Sequence, residues 1–151
     1  MATNPAPLPS LGSVLVALQF ALIVVLGGLA APALLGGSAP GVAWVLLTAG
    51  IVLATWTLSV NRPGNFNIRP TPRTGGRLAQ DGPYRWIRHP MYTTVIVCGA
   101  ACASAGGSVW GWLATLALIG VLLAKASLEE RLMMQAHPAY AAYRARTRGF
   151  V

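Results

Sequence analysis

Arg88 and His89 stand together in the stretch GPYRWIRHPMY, residues 82–92, and Glu129 and Glu130 stand together further on. Between these two pairs, from Pro90 to Ala124, the chain carries no charge. If that interval folds as a hairpin with two comparable arms, the basic and acidic pairs return to one depth. Two chemistries are then open to a guanidinium, an imidazole and two carboxylates. They can brace one another as an ion pair beside arginines that anchor lipid headgroups. They can also form a site for a ligand that bears both signs of charge, with Tyr84, Trp86, Tyr92 and Asn67 near enough in sequence to line it.

The rest of the chain decides where such a cluster would sit. Of 151 residues, 55% are hydrophobic and 9% charged, against about 25% charged in soluble domains. So few charges cannot cover the surface of a soluble fold, and a single-domain membrane protein is expected. The net charge of +8 then points to anionic lipid more readily than to nucleic acid. Cys98 and Cys102 share one helix face in an apolar run without further ligands. Close packing of small residues is the expectation there, and no metal site.

An uncharged run from Leu11 to Leu35 is too long for a signal-peptide core and has no Lys or Arg before it, so it reads as a retained helix. Spans are expected at about 11–35, 42–60, 91–105 and 108–128, the last two forming a hairpin. The third arm is short and rich in Ala, Cys, Gly, Ser and Thr, which suits a helix packed within the bundle. Residues 61–90 hold six Arg and five Pro, which excludes a regular helix. Pro90 opens the third span, and the Glu pair closes the fourth. His137, before Pro138, is expected at a helix boundary.

Every charged side chain falls either within 61–90 or from Lys125 onward. Four spans put both charged segments on one side, and the positive-inside rule makes that side, 61–90 and 129–151, cytoplasmic. The fold expected is thus an all-α integral membrane protein of four transmembrane helices with a cytoplasmic Arg/Pro-rich segment and a C-terminal tail. A proton-coupled exporter would need a carboxylate within a span, and residues 11–60 contain none. A non-enzymatic lipid-binding scaffold remains the alternative from another class.

The ordered set GPYRWIRHPMY, an apolar hairpin, then EERLMMQAHPAYAAYRARTRGF resembles the isoprenylcysteine carboxyl methyltransferase family and its phospholipid-methyltransferase relatives. The shared pattern is Arg-His-Pro-x-Tyr, an apolar stretch, Glu-Glu and a Tyr-x-x-Tyr tail. The upstream NFNIRPTPRTGGRLAQDGPYR is similar to the bacterial members, so the resemblance covers about residues 60 to 148. It implies S-adenosylmethionine bound at the cytoplasmic face of a bacterial inner membrane, without a Rossmann fold. The absence of a Gly-x-Gly-x-x-Gly loop agrees.

By the same resemblance, Tyr84, Arg88, His89, Pro90, Tyr92, Glu129 and Glu130 would hold the cofactor. Arg146, three residues after Tyr143, would face the acceptor's carboxylate, so Arg146 and Glu130 are the candidate catalytic residues. The acceptor implied is lipophilic, an isoprenylcysteine-like carboxylate entering from the bilayer, with phospholipid N-methylation as the alternative. The cofactor's methionine end is a zwitterion, whose carboxylate suits Arg or His and whose ammonium and ribose hydroxyls suit Glu.

Overall fold

The computed structural model describes residues 10–60 and 78–150. Asn67, Arg69 and Thr74 of the Arg/Pro-rich segment lie outside the described residues. The chain forms α1 (Leu11–Leu35), α2 (Gly41–Val60), a 3-10 turn (Gly82–Arg85), α3 (Pro90–Gly106), α4 (Val109–Ala136) and α5 (Tyr140–Ala145). Helices α1, α2 and α4 are long and apolar enough to cross a membrane, and α3 is a shorter apolar helix. At 1.5 Å per residue, the 17 residues of α3 reach about 25 Å.

α3 is the shared partner, packing against α1, α2 and α4. Its small residues permit this. A Cβ on Gly50 of α2 would lie 2.5 Å from the Cys98 sulfur, and one on Gly106 would lie 2.9 Å from the Leu29 carbonyl oxygen of α1. Gly106 marks a backbone approach that a larger residue does not allow, whereas Gly50 makes room for the Cys98 side chain. Cys98 and Cys102 are free thiols, and Cys102 packs against both apolar clusters of the core. Trp110 and Trp112 are exposed at the start of α4, where an interfacial belt is the natural role.

Gly50→Val is therefore expected to lower the thermal unfolding midpoint in detergent micelles, overpacking at such a site costing about 1–3 kcal/mol. Because the clash is with one sulfur atom, the Gly50→Val/Cys98→Ala pair should recover much of that loss. A double variant no better than the single one would mean that the helices meet elsewhere.

The elements begin and end within a residue or two of expectation, with one exception. α4 runs on to Ala136 instead of ending near 128, so Glu129 and Glu130 lie inside the helix and do not close it. Polarity marked where the apolar surface stops, not where the helix stops. Glu, Arg, Leu, Met, Gln and Ala are all strong helix formers. The helix ends where expected from local chemistry, at His137, whose backbone is extended (φ −129°, ψ 105°) before Pro138.

Candidate functional site

Asp81, Gly82 and Pro83 turn the chain through the 3-10 segment, and Gly82 meets Val60 and Trp56 at the end of α2. Trp86 packs on Trp56 with ring centroids 5.8 Å apart. Residues 86–89 then pair with the C-terminal tail about a single parallel bridge between Ile87 and Arg148. Arg148 N–H donates to the Trp86 carbonyl at 2.8 Å, Arg88 N–H to the Arg148 carbonyl at 2.8 Å, and His89 N–H to the Gly149 carbonyl at 3.2 Å. His89 caps α3, its carbonyl accepting from Tyr92 and Thr93 N–H at 3.0 and 3.1 Å. Pro90 follows as the first helical residue, where a missing N–H costs nothing.

This entry delivers Arg88 and His89 to the carboxylates of α4. Arg88 Nε donates to Glu130 Oε1 at 2.7 Å, and His89 Nε2 reaches the same oxygen at 3.1 Å. A carboxylate only accepts, so Nε2 carries a proton. The other oxygen of Glu130 takes Arg144 Nε at 3.1 Å. Tyr92 Oη donates to Glu129 Oε2 at 3.0 Å, and His89 Nδ1 lies 3.8 Å from that oxygen.

The two glutamates differ in exposure. The Glu130 side chain is 14% exposed and enclosed by three cationic or imidazole partners, whereas that of Glu129 is 33% exposed. Glu130 is the hub; Glu129 is the more open carboxylate.

The tail completes the enclosure. α5 turns Tyr140 and Tyr143 inward, both 3% exposed, with rings 5.8 Å apart. Burial, with Tyr84 nearby, pushes the Tyr143 phenol up to about 12, so it stays protonated and donates to the Tyr84 carbonyl at 2.8 Å. Burial raises the Tyr140 phenol as well. Arg88 Nη1 donates to the Thr147 carbonyl, and Thr147 Oγ1 to the Tyr143 carbonyl at 2.7 Å. Phe150 stacks on His89, centroids 5.6 Å apart, and His89 stacks on Tyr92 at 5.3 Å.

The residues singled out in the sequence thus separate into two groups. Arg88, His89, Pro90, Tyr92, Glu129 and Glu130 come together, and Tyr84 joins through its backbone carbonyl. Arg146 does not: it is exposed, its guanidinium donates to the Gln80 side chain, and it lies 6.0 Å from the Tyr143 ring centroid. Arg144 occupies the place beside Glu130 instead. Tyr140, Tyr143 and Arg144 follow i, i+3, i+4 and share one face once a helix forms there, but the spacing alone does not place that helix.

Phe150, Thr147 and Lys125 were also missed. Phe150 and Thr147 reach the cluster through long-range pairing that no local spacing announces, whereas Lys125 lies one turn before Glu129 but meets Gln19 and Tyr92 only through the fold.

Beside Glu130, on the flank of α4 that faces α5, a cavity of about 500 Å³ is lined by Ser127, Glu130, Arg131, Met134, Gln135 and Arg144. Its size suits a small-molecule site, and its walls carry two guanidinium groups, a carboxylate and a thioether. Among the described residues, no group of three or more His, Cys, Asp or Glu could hold a metal ion.

No curated protein sequence matches the chain. A family model does, over residues 38–140, from just before α2 to the first residue of α5. By that match the chain belongs to the phospholipid methyltransferase family, and is an integral membrane enzyme that transfers a methyl group from S-adenosylmethionine to a lipid-like acceptor.

Proposed function

We propose that Arg88, His89, Tyr92, Glu129 and Glu130, with Pro90 and Tyr84 shaping the entry, hold S-adenosylmethionine for methylation of an aminophospholipid headgroup. The observation that carries the cofactor assignment is the facing set of donors and acceptors: guanidinium and imidazole on α3's entry, carboxylates on α4, within 2.7–3.8 Å of one another. This set fits the group. A carboxylate finds Arg88 and His89, while an ammonium and ribose hydroxyls find Glu129, the more open of the two acids. When bound, the cofactor supplies an electrophilic methyl group on a sulfonium centre.

The chain's own residues then orient and exclude. Glu130 fixes the Arg88 and His89 side chains, and Phe150 closes over the His89 ring. Transfer by in-line attack depends on such alignment and dryness more than on acid–base chemistry. An amine acceptor attacks the methyl group only after its ammonium proton has passed to water, and neutral S-adenosylhomocysteine is left.

Arg131 and Arg144 in the cavity beside Glu130 suit the phosphodiester of a headgroup arriving between α4 and α5. Isoprenylcysteine-like carboxylate methylation is the second reading, supported by the Arg-His-Pro-x-Tyr and Tyr-x-x-Tyr pattern. Radiolabelled cofactor, offered vesicles with and without an amine headgroup and micelles of a prenylated cysteine, separates the two. Label in the aminophospholipid is expected. Label in the prenylcysteine alone would select the second reading.

Four spans with both termini on the cytoplasmic side of a bacterial inner membrane complete the reading, with 1–151 as one domain. α3 is short for a span, but it starts beside α4's charged end and finishes at the Ser108 turn, as one arm of a hairpin does. In a Cys98→Ala/Cys102→Ala background, Ser38→Cys and Ser108→Cys should react with an impermeant maleimide added outside cells. Thr147→Cys should react only after permeabilisation. Labelling of Thr147→Cys from outside would overturn the span count.

A further inference from the structure

Lys125 is a cation inside the bundle. α4 buries a stripe of Leu118, Leu122, Lys125 and Ala126, and Lys125 is only 2% exposed. α1 buries Gly12, Leu15, Gln19, Leu26 and Ala30, of which Gln19 alone has a polar side chain. The two polar members meet: Lys125 Nζ donates to Gln19 Oε1 at 2.5 Å. The same ammonium lies 5.1 Å from the centroid of the Tyr92 ring, within cation–π range. Glu129, which accepts from the Tyr92 phenol, follows Lys125 by one helical turn on the same face.

Packing alone does not account for this pair. A buried ammonium carries a desolvation penalty, and replacing a buried polar pair by apolar side chains of similar volume is often neutral or stabilising. Leu or Met at both positions would serve the bundle's packing as well. Ionisable groups within membrane helices mark function by default.

We propose that Gln19 and Lys125 are positioning residues of the methyl-transfer site. The Lys125 ammonium steadies the Tyr92 ring and balances the Glu129 carboxylate one turn away, and Gln19 fixes the ammonium. Tyr92 and Glu129 are thereby held toward the cofactor. α1 becomes a working part of the site, although the family match begins only at residue 38. The inference rests on the assignment of Tyr92 and Glu129 to the cofactor.

The test compares full-length Gln19→Leu/Lys125→Met, Gln19→Glu and Glu129→Gln in micelles, by thermal unfolding and by calorimetric titration with S-adenosylhomocysteine. The double variant is expected to unfold at the same temperature or higher, yet to bind at least ~10-fold more weakly. Gln19→Glu keeps an acceptor for the ammonium and should bind within about three-fold of the parent. Glu129→Gln should weaken binding while leaving the midpoint near its original value. Unchanged affinity in the double variant, or its failure to fold, would overturn the positioning role. If Glu129→Gln weakens binding and the double variant does not, only that role falls. If Glu129→Gln binds normally, the site assignment falls with it.

Discussion

Glu130→Ala is expected to weaken S-adenosylhomocysteine binding at least ~100-fold, more than any other single change to the cluster. Both oxygens of this carboxylate are engaged, by Arg88 and His89 on one side and by Arg144 on the other. The Arg88 and His89 side chains are 11% and 7% exposed, so water cannot take over for the lost acid. Breaking a buried charge pair on one side costs about 3–5 kcal/mol of stability and releases Arg88 and His89 from the geometry the cofactor needs; a ~100-fold loss corresponds to about 2.7 kcal/mol of binding. His89→Ala removes one charge-assisted bond and should cost roughly ten-fold, or ~1.5 kcal/mol. Arg85→Ala is the control. Arg85 belongs to the same basic stretch but is exposed, its guanidinium 5.6 Å from the Trp86 ring centroid, and its loss should change little. Equal, small effects at all three positions would favour a headgroup anchor over a binding site.

The second large effect separates two arginines that the sequence alone could not rank. Arg144→Gln should lower methyl transfer by roughly 10- to 100-fold, the worth of about 1.5–3 kcal/mol for a charge-assisted bond to an anionic acceptor. S-Adenosylhomocysteine affinity should move only a few-fold, since Glu130 keeps Arg88 and His89. Arg146→Gln should leave turnover within about three-fold of the parent, because Arg146 is exposed and pairs with Gln80. Radiolabel transfer and calorimetry on the same two preparations give the comparison. Loss of turnover in Arg146→Gln, with Arg144→Gln unaffected, would return the acceptor-facing role to Arg146.

That ambiguity marks the boundary of what the chain states locally. The meeting of Arg88-His89 with Glu129-Glu130 was legible because it needs only a hairpin of known length and a proline that opens a helix. The placement of Arg144 over Arg146 was not. It depends on the register of a six-residue helix, set by the burial of Tyr140 and Tyr143. Lys125 was harder still. It falls within the expected fourth span, but nothing near it in sequence points to Gln19, 106 positions earlier, which holds its ammonium inside. The overrun of α4 to Ala136 has a different origin, because hydropathy reports the membrane boundary and propensity reports the helix. The tail's Phe150 and Thr147 carry no spacing that points to His89 or Arg88. Only the pairing of residues 86–89 with 148–149 brings them there.

In the proposed site the methyl donor binds between the entry to α3 and the Glu pair of α4. The most direct test of that placement is calorimetric titration of the purified protein with S-adenosylhomocysteine, run in parallel on the parent chain, Glu130→Ala and Arg85→Ala. A single saturable binding event is expected in the parent and in Arg85→Ala, and none at the same concentrations in Glu130→Ala, checked for helical content by circular dichroism. Binding of undiminished affinity in a folded Glu130→Ala, or no binding in the parent, would contradict the account.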